Sequence, residues 1–350
     1  MLILGIESSC DDSAAAVVID GRRIQSSVVA SQTRVHHRYG GVVPELASRQ
    51  HVQAIMPVTR QALDEAGLKL ADIDAIAVTQ GPGLIGSLLV GFNFARALAY
   101  GLEIPWVGVN HLDGHIHSIF LQPDPPDFPF VALLASGGHT SLYHVTSHTA
   151  AKPLGHTRDD AAGEAFDKVA KMLGLGYPGG RVIAELAAKG DPAKIPFPRA
   201  YMKKAGFDFS FSGMKTAARQ FIEANSDRLE EMMPHIAAGF QEAVVDVLED
   251  KLTRAAAHLD CPRTAMVGGV AANARLRERL REAGAHNGYR VTLPPRELCG
   301  DNAAMIAAAG YHALKAGQRS GLTSDVYSRR PSACGAGPPD QNQRHPNTAA

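Results

Sequence analysis

Two short apolar runs, LILGIE at 2–7 and SAAAVVI at 13–19, flank the polar turn SSCDD, a pattern that predicts a β-hairpin with a chemically loaded loop. A third apolar run follows at 24–30. From Pro44 to Ala66 the apolar positions recur at helical spacing and stop at Gly67, which predicts a helix with a glycine C-cap. DAIAVT at 74–79 predicts a buried strand, GPGLIG at 81–86 opens a long apolar helix to about Tyr100, and IPWVGV at 104–109 predicts another strand. At 130–146 the opening pattern returns as an apolar strand, the small turn SGG and a second strand. This self-similarity points to two halves of related topology, each led by a hairpin whose tip faces a shared cleft, although two unrelated hairpins would give the same pattern.

Farther on, 161–189 and 213–259 read as helical, with the Pro-rich stretch 190–212 an ordered insertion loop between them. TAMVGGVAANARLRERLREAG at 264–284 reads as strand, glycine turn and helix, 289–293 as a strand, and 301–316 as a helix opening on Asp301. Past about residue 330 the chain is Pro, Gly and polar residues without periodicity, which predicts a disordered tail. The expected division is an N-terminal lobe at 1–125, a C-terminal lobe with a helical insertion at 126–325, and a tail at 326–350.

The length of 350 residues, at ~150 per domain, agrees with two domains or one duplicated fold. Lys plus Arg and Asp plus Glu are both 35, so a nucleic acid could not be held by bulk charge; it would need a local patch or other proteins. Arg34, His36, His37 and Arg38 form one such cluster, and Arg275, Arg277, Arg279 and Arg281 alternate along one helix; both patterns also fit solvated faces. Cys10, Cys261, Cys299 and Cys334 form no CxxC pair and read as free thiols of a reducing compartment. The N-terminus lacks a basic n-region, and no uninterrupted run of about 18 apolar residues is present, so no membrane contact is expected and the protein is expected to be cytoplasmic.

HLDGH places His111 and His115 on one face of a helix, close enough to share a metal ion, or simply to lie on a solvated face. A zinc protease would need Glu after the first His, and that position is Leu112. SGG at 136–138 and SSCDD at 8–12 occupy corresponding hairpin turns. Small residues there let backbone N–H groups approach phosphate oxygens, and the carboxylates can hold a cation or take a proton; an ordinary turn has the same composition. Gly268 and Gly269 between a strand and a helix could bring a purine or ribose against bare backbone, with Asn273 either a contact or a helix cap. Asp167 and the GYPGG segment ending at Gly180 are a possible second wall.

In order, GIESSCDDS, QGPGLIGSLLVG, NHLDGHIHS, LLASGGHT, AAGEAFDKVAKMLGLGYPGG, FSFSGMKTA, MVGGVAANARLR and DNAAMIA resemble the tRNA N6-adenosine threonylcarbamoyltransferase family over roughly residues 1–325. The resemblance implies an α/β fold, the duplicated actin/Hsp70/sugar-kinase-like (ASKHA) architecture, with two lobes around a nucleotide cleft. It implies transfer of a threonylcarbamoyl group from threonylcarbamoyl-AMP to N6 of the adenosine 3′ of the anticodon, in tRNAs reading ANN codons. The family's metal ligands fall on His111, His115 and Asp301, for one divalent ion per subunit, Fe2+ ahead of Zn2+ or Mg2+. Its substrate contacts fall on Leu134, Ala135, Ser136, Gly137, Gly138, Asp167, Gly180 and Asn273. Arg181 and Ala184 stand where many relatives have Pro and Asp, so a ribose contact from a carboxylate at 184 is absent. The attacking amine needs a base, for which Asp11 is the candidate and Asp12 or a metal-bound water are rivals. Implied partners are tRNA, an inactive paralogue (TsaB-like) and a small ATPase (TsaE-like). An ATP-dependent kinase of the same fold and a non-catalytic scaffold of a tRNA-modification complex are the alternatives.

Overall fold

The computed structural model describes residues 1–200 and 206–329. The strands are β1 (Leu2–Glu7), β2 (Asp12–Ile19), β3 (Arg23–Ser31), β4 (Ala75–Gly81), β5 (Trp106–Asn110), β6 (Phe130–Ala135), β7 (Thr140–Ser147), β8 (Ala150–His156), β9 (Arg263–Val267) and β10 (Arg290–Thr292). The helices are α1 (Thr33–His37), α2 (Pro44–Ala66), α3 (Ile85–Leu102), α4 (His111–His117), α5 (Ala162–Met172), α6 (Gly179–Ala187), α7 (Ser212–Ala224), α8 (Leu229–His258), α9 (Ala274–Asn287) and α10 (Ala303–Lys315).

The two sheets have one topology. The first is ordered β3-β2-β1-β4-β5 and the second β8-β7-β6-β9-β10. In each, the first three strands form an antiparallel meander and the last two join in parallel. The duplication read from the repeated hairpin pattern is therefore real. β8 had no counterpart in the sequence reading: AAKPLGH is a half-exposed edge strand carrying Pro153, where neither apolar content nor alternation is demanded. The helical stretch expected at 161–189 is broken between α5 and α6, and α10 begins at Ala303 with Asn302 as its cap, so Asp301 precedes the helix. Of the insertion loop, the described residues include buried Ile195, Phe197, Phe209 and Phe211.

Alternation along β1 sorts its side chains between two layers. Leu4 and Ile6 join the core under α2 and α3, whereas Ile3 joins the core formed with α10. On that second face a Cβ at Gly5 would lie 2.1 Å from the Ala303 carbonyl oxygen, so only glycine admits α10 so close. Glu7 lies on the same face, which buries it completely. Because α10 packs on the first sheet, residues 303–315 belong by packing to the N-terminal lobe rather than to 126–325. The tail boundary at 326 also shifts. Tyr327 N–H donates to the Gln80 carbonyl at 3.1 Å, and Asn110 Nδ2 donates to Tyr327 Oη at 3.0 Å. The rest of the expected tail, 330–350, lies outside the described residues.

By length and composition α3 could cross a membrane, but Asn93 and Arg96 interrupt its apolar residues, in keeping with the absence of an uninterrupted apolar run, and Ser87, Leu88, Gly91, Phe92, Ala95 and Ala99 form a buried face against the first lobe's core. Its other side is not buried. Ile85 and Leu89 of α3 lie exposed, as do Val52 (65%) and Met56 (57%) of the neighbouring α2.

At the lobe boundary His148 and His312 stack in parallel with ring centroids 3.4 Å apart. Burial, reinforced by each imidazole's neighbours, pushes His148 down to about 4 and His312 to about 3. An unfolded His titrates near about 6.5, so the unfolded chain binds more protons as pH falls. Stability from this pair is present above about 6.5 and is lost as pH falls through about 4. Thermal melts should lose several degrees over that window, and His312→Phe should flatten the loss; an unchanged slope would show the pair to be inert.

Candidate active site and metal centre

The β5–α4 junction builds the first half of the site. Asn110 caps α4 by accepting from Leu112 N–H at 2.8 Å and Asp113 N–H at 3.3 Å, which fixes the start of the helix at His111. One turn later His115 lies on the same face, and the two rings meet edge to face at 4.7 Å. Asp301, just ahead of α10, brings Oδ1 to 3.2 Å from His115 Nε2 and 3.5 Å from His111 Nε2. One ligand atom from each of the three residues falls within 4.8 Å of the others.

A second layer orients these groups. Glu7 Oε2 lies 2.9 Å from His111 Nδ1 and also accepts from Thr79 Oγ1 at 2.6 Å, while Ser9 N–H donates to Glu7 Oε1. A carboxylate on Nδ1 leaves the Nε2 lone pair free for an ion, the usual arrangement behind a metal-bound imidazole. Burial pushes the Glu7 carboxyl up, but the His111 imidazole outweighs it, and the net shift is down. Burial pushes His111 down, yet the Glu7 and Asp301 carboxylates raise it to about 9. Burial likewise opposes ionisation of Asp301, and the two imidazoles hold its carboxyl well below the usual range. Such a pocket stabilises positive charge.

The residues fit a divalent cation. His115 is fully buried and its Nε2, aimed at Asp301, has no hydrogen-bond partner, a cost that a bound ion would remove. Two imidazoles and one carboxylate suit Fe2+ or Zn2+; Mg2+, which prefers an all-oxygen shell, fits poorly.

Across the cleft, the β6–β7 turn is held by Ser136 N–H donating to the His139 carbonyl at 2.8 Å and His139 N–H donating to Ser136 Oγ at 3.2 Å. Leu134 and Ala135 are fully buried on opposite faces of β6, so they can meet a substrate only through backbone. Gly137 and Gly138 are exposed, and a Cβ at either would touch nothing within 4 Å. A Gly138→Val variant should therefore keep its melting temperature, since the added side chain meets nothing; a clear fall in a thermal melt would mark the turn as a folding element. His139 faces the metal-ligand set: burial, then His111 and His115, push it down to about 4.

Asp167 on α5 accepts from Gly179 N–H at 2.7 Å at the start of α6. Burial raises its carboxyl to about 6, and Asp11 adds to the rise. Burial also raises Asp11, whose neighbours include Asp301, and lifts Asp12 to about 7. Asp11 is thus near enough to both Asp301 and Asp167 for their charges to interact, and Tyr177 Oη approaches its Oδ2 at 3.5 Å. Gly268 sits at φ 92°, and a Cβ there would be 2.4 Å from the Ala135 carbonyl oxygen, so this glycine serves the close packing of β6 on the turn. Asn273 is the cap of α9: Oδ1 accepts from Leu276 N–H at 3.0 Å and Nδ2 donates to Gln241 at 2.8 Å. One amide hydrogen remains for a ligand. Beside it opens a cavity of about 740 Å³ bounded by α6, α8 and α9, with Ala184, Gln241, Ala274 and Arg277 among its lining and none of the metal-ligand candidates. Gly180, one turn earlier on α6 than Ala184, does not line it.

The arginines of α9 are largely spent within the fold. Arg275 pairs with Glu242 and Glu278, Arg279 with Glu242, Asp246 and Glu249, and buried Arg277 donates to the Ala271 and Pro294 carbonyls. Arg34, His37 and Arg38 of the other cluster are exposed, whereas His36 is buried. The residue that composition did not flag is Glu7; its only trace is an acid closing an otherwise apolar strand.

The sequence profile described as "TsaD: tRNA N6-adenosine threonylcarbamoyltransferase" matches residues 23–308. The tRNA N6-adenosine threonylcarbamoyltransferase of Desulforapulum autotrophicum is 62% identical over 329 residues, spanning 94% of this chain and 99% of that protein. The protein of the same name from Symbiobacterium thermophilum is 53% identical, spanning 92% and 94%. Among solved structures, full-length HypF aligns with a TM-score of 0.59 at 14% identity over 93% of this chain and 47% of its own. Component A of the Acidaminococcus fermentans (R)-2-hydroxyglutaryl-CoA dehydratase aligns at 0.54 and 17% identity over 91% and 100%. The last two likenesses are of fold alone.

Proposed function

Because the chain belongs to the tRNA N6-adenosine threonylcarbamoyltransferase family and is an enzyme of that activity, we propose how its residues divide the work. The donor is threonylcarbamoyl-AMP and the acceptor is N6 of the adenosine 3′ of the anticodon in tRNAs reading ANN codons. The new bond joins N6 to the carbamoyl carbon, the bond from that carbon to the phosphate oxygen breaks, AMP leaves, and N6 gives up one proton. Close identity to a named transferase along nearly the whole of both chains carries this reading.

The nucleoside of the donor lies against Gly268, Gly269 and Asn273, with Asp167 and Gly180 on the facing wall. Ala184 offers no carboxylate, so the ribose is held by Asp167 and backbone. The N–H groups of Gly137 and Gly138 receive the anionic oxygens, as preorganised donors that need no rearrangement when charge develops. Asp11 takes the N6 proton as the amine attacks; its closeness to both Asp167 and Asp301 supports this role. His111, His115 and Asp301 hold the divalent ion, Fe2+ in this reading, which would supply Lewis acidity toward an oxygen of the donor. Glu7 keeps His111 turned toward it.

With net charge zero, Arg275 and Arg279 paired and Arg277 buried, Arg34, His37, Arg38 and Arg281 remain of the basic clusters to meet tRNA. His37 packs against Gly176, next to Tyr177, and so flanks the cleft. A grip this small needs help. An inactive paralogue of the same fold, docked on Val52, Met56, Ile85 and Leu89, would supply further surface, and a small ATPase would act with the pair. The purified chain alone should then show weak tRNA binding and little turnover, both rising when the two partners are added. Full multiple turnover by the chain alone would sink the requirement. A cytoplasmic site of action follows from the substrate.

The test of the function itself is nucleoside mass spectrometry of tRNA from cells depleted of the protein. Threonylcarbamoyladenosine should fall while other modified nucleosides persist. An unchanged level overturns the reading.

A further inference from the structure

The loop that carries Asp11 and Asp12 is held by its backbone. Three consecutive carbonyls each accept one hydrogen bond, and each donor comes from a different part of the first lobe. Leu84 N–H donates to Ser9 O at 2.8 Å, His51 Nε2 to Cys10 O at 3.0 Å, and Gln32 N–H to Asp11 O at 3.0 Å. Only the middle donor is a side chain. His51 sits on the inner face of α2, fully buried, and its second nitrogen, Nδ1, lies 2.7 Å from Ser13 Oγ, itself buried.

The chemistry of the partners fixes the ring. A carbonyl can only accept, so Nε2 carries the hydrogen; in the neutral ring Nδ1 must then accept, and Ser13 donates to it. Burial lowers the imidazole's proton affinity and favours that neutral form. His51 thus grips the loop one residue before Asp11 and one residue after Asp12. With the peptide planes on both sides of Asp11 held, the direction of its Cα–Cβ bond is set as well.

We infer that His51 is a positioning residue for the transfer step, holding the Cys10 carbonyl so that the Asp11 carboxylate points at the acceptor amine. The inference rests on Asp11 as the base. Misplacing a catalytic group by about 1 Å can cost about 100-fold, without weakening the binding of substrates that it does not hold.

The experiment uses the complete protein with its partners, assayed at steady state. His51→Leu keeps the volume and removes both hydrogen bonds, and should lower kcat about 10- to 100-fold with KM for the adenylate and bound metal unchanged. His51→Gln can place an amide N–H where Nε2 was, and should restore most of kcat. In an Asp11→Asn background, His51→Leu should cost nothing further, since the group it aims is gone. Should His51→Leu not fold, His51→Asn, whose amide reaches only the Nδ1 position, serves the same comparison. Wild-type kcat in the Leu variant overturns the inference. So does equal loss of kcat and melting temperature in the Leu and Gln variants, which would make His51 a packing residue, or a full further loss in the Asp11→Asn background. An Asp11→Asn single variant with undiminished kcat overturns the base reading instead, and is read without reference to His51.

Discussion

His115→Ala should lower affinity for the divalent ion by more than about 100-fold, because loss of a merely supporting residue already costs about 10–100-fold and His115 is one of the three proposed direct ligands. The companion variant His111→Ala should lose metal as severely and stability as well. Its imidazole is the counter-charge of Glu7, which is completely buried and would keep only Thr79 and Ser9 as partners. Breaking a buried pair from one side costs about 3–5 kcal/mol. His115 has no such dependant: Asp301, which loses it, retains His111. Elemental analysis of both variants and thermal melts of the metal-free proteins separate the two effects. Unaltered metal content in both would place the ion elsewhere. Equal melting temperatures in the two metal-free variants would mean that Glu7 does not depend on His111.

Asp11→Asn should reduce kcat by about 10²–10⁴ with adenylate affinity kept, the range expected when a general base is removed. Asn retains the shape and one acceptor oxygen, so binding and folding serve as internal controls. Asp12 is the rival, and burial has lifted it to about 7. A carboxylate base works only when ionised, so activity falls as pH drops through its pKa. If Asp12 were the base, the wild-type profile would turn down around pH 7, and Asp12→Asn would abolish turnover. The expected result is that Asp12→Asn stays within about tenfold of wild type while Asp11→Asn does not. Quantified threonylcarbamoyladenosine formation across pH 5–9 distinguishes the two carboxylates.

Much of the local structure was legible because it is encoded locally. Pro44 at the first turn and Gly67 at φ 67° bound α2 at the residues that the periodicity indicated. The repeated hairpin pattern anticipated two sheets of one topology, since apolar runs around a small polar turn have few other uses. β8 escaped because an edge strand does not need an apolar face. The placement of α10 escaped for a different reason: its apolar residues fit either lobe, and it is the close approach at Gly5 and at Gly310, which packs on Ala77, that seats the helix on the first sheet.

The site divides along the same line. The sequence by itself determined that His111 and His115 share one helix face, that small residues occupy both hairpin turns, and, through the ordered motifs, the family. Those are properties of spacing and residue type. Which polar groups are consumed and which are left for a ligand was decided only by the tertiary structure. Asn273 keeps one amide hydrogen after capping α9 and binding Gln241, whereas Arg275 and Arg279 are taken by acids on α8; Glu7 and His51, inconspicuous in the chain, are buried beside His111 and the Asp11 loop. A side chain's hydrogen-bonding capacity is fixed by its type, but its partners come from strands and helices far away in sequence. Burial makes each of those pairings costly to leave unmade, so the packing of the two sheets on α4 and α10 settles which residues can still do chemistry.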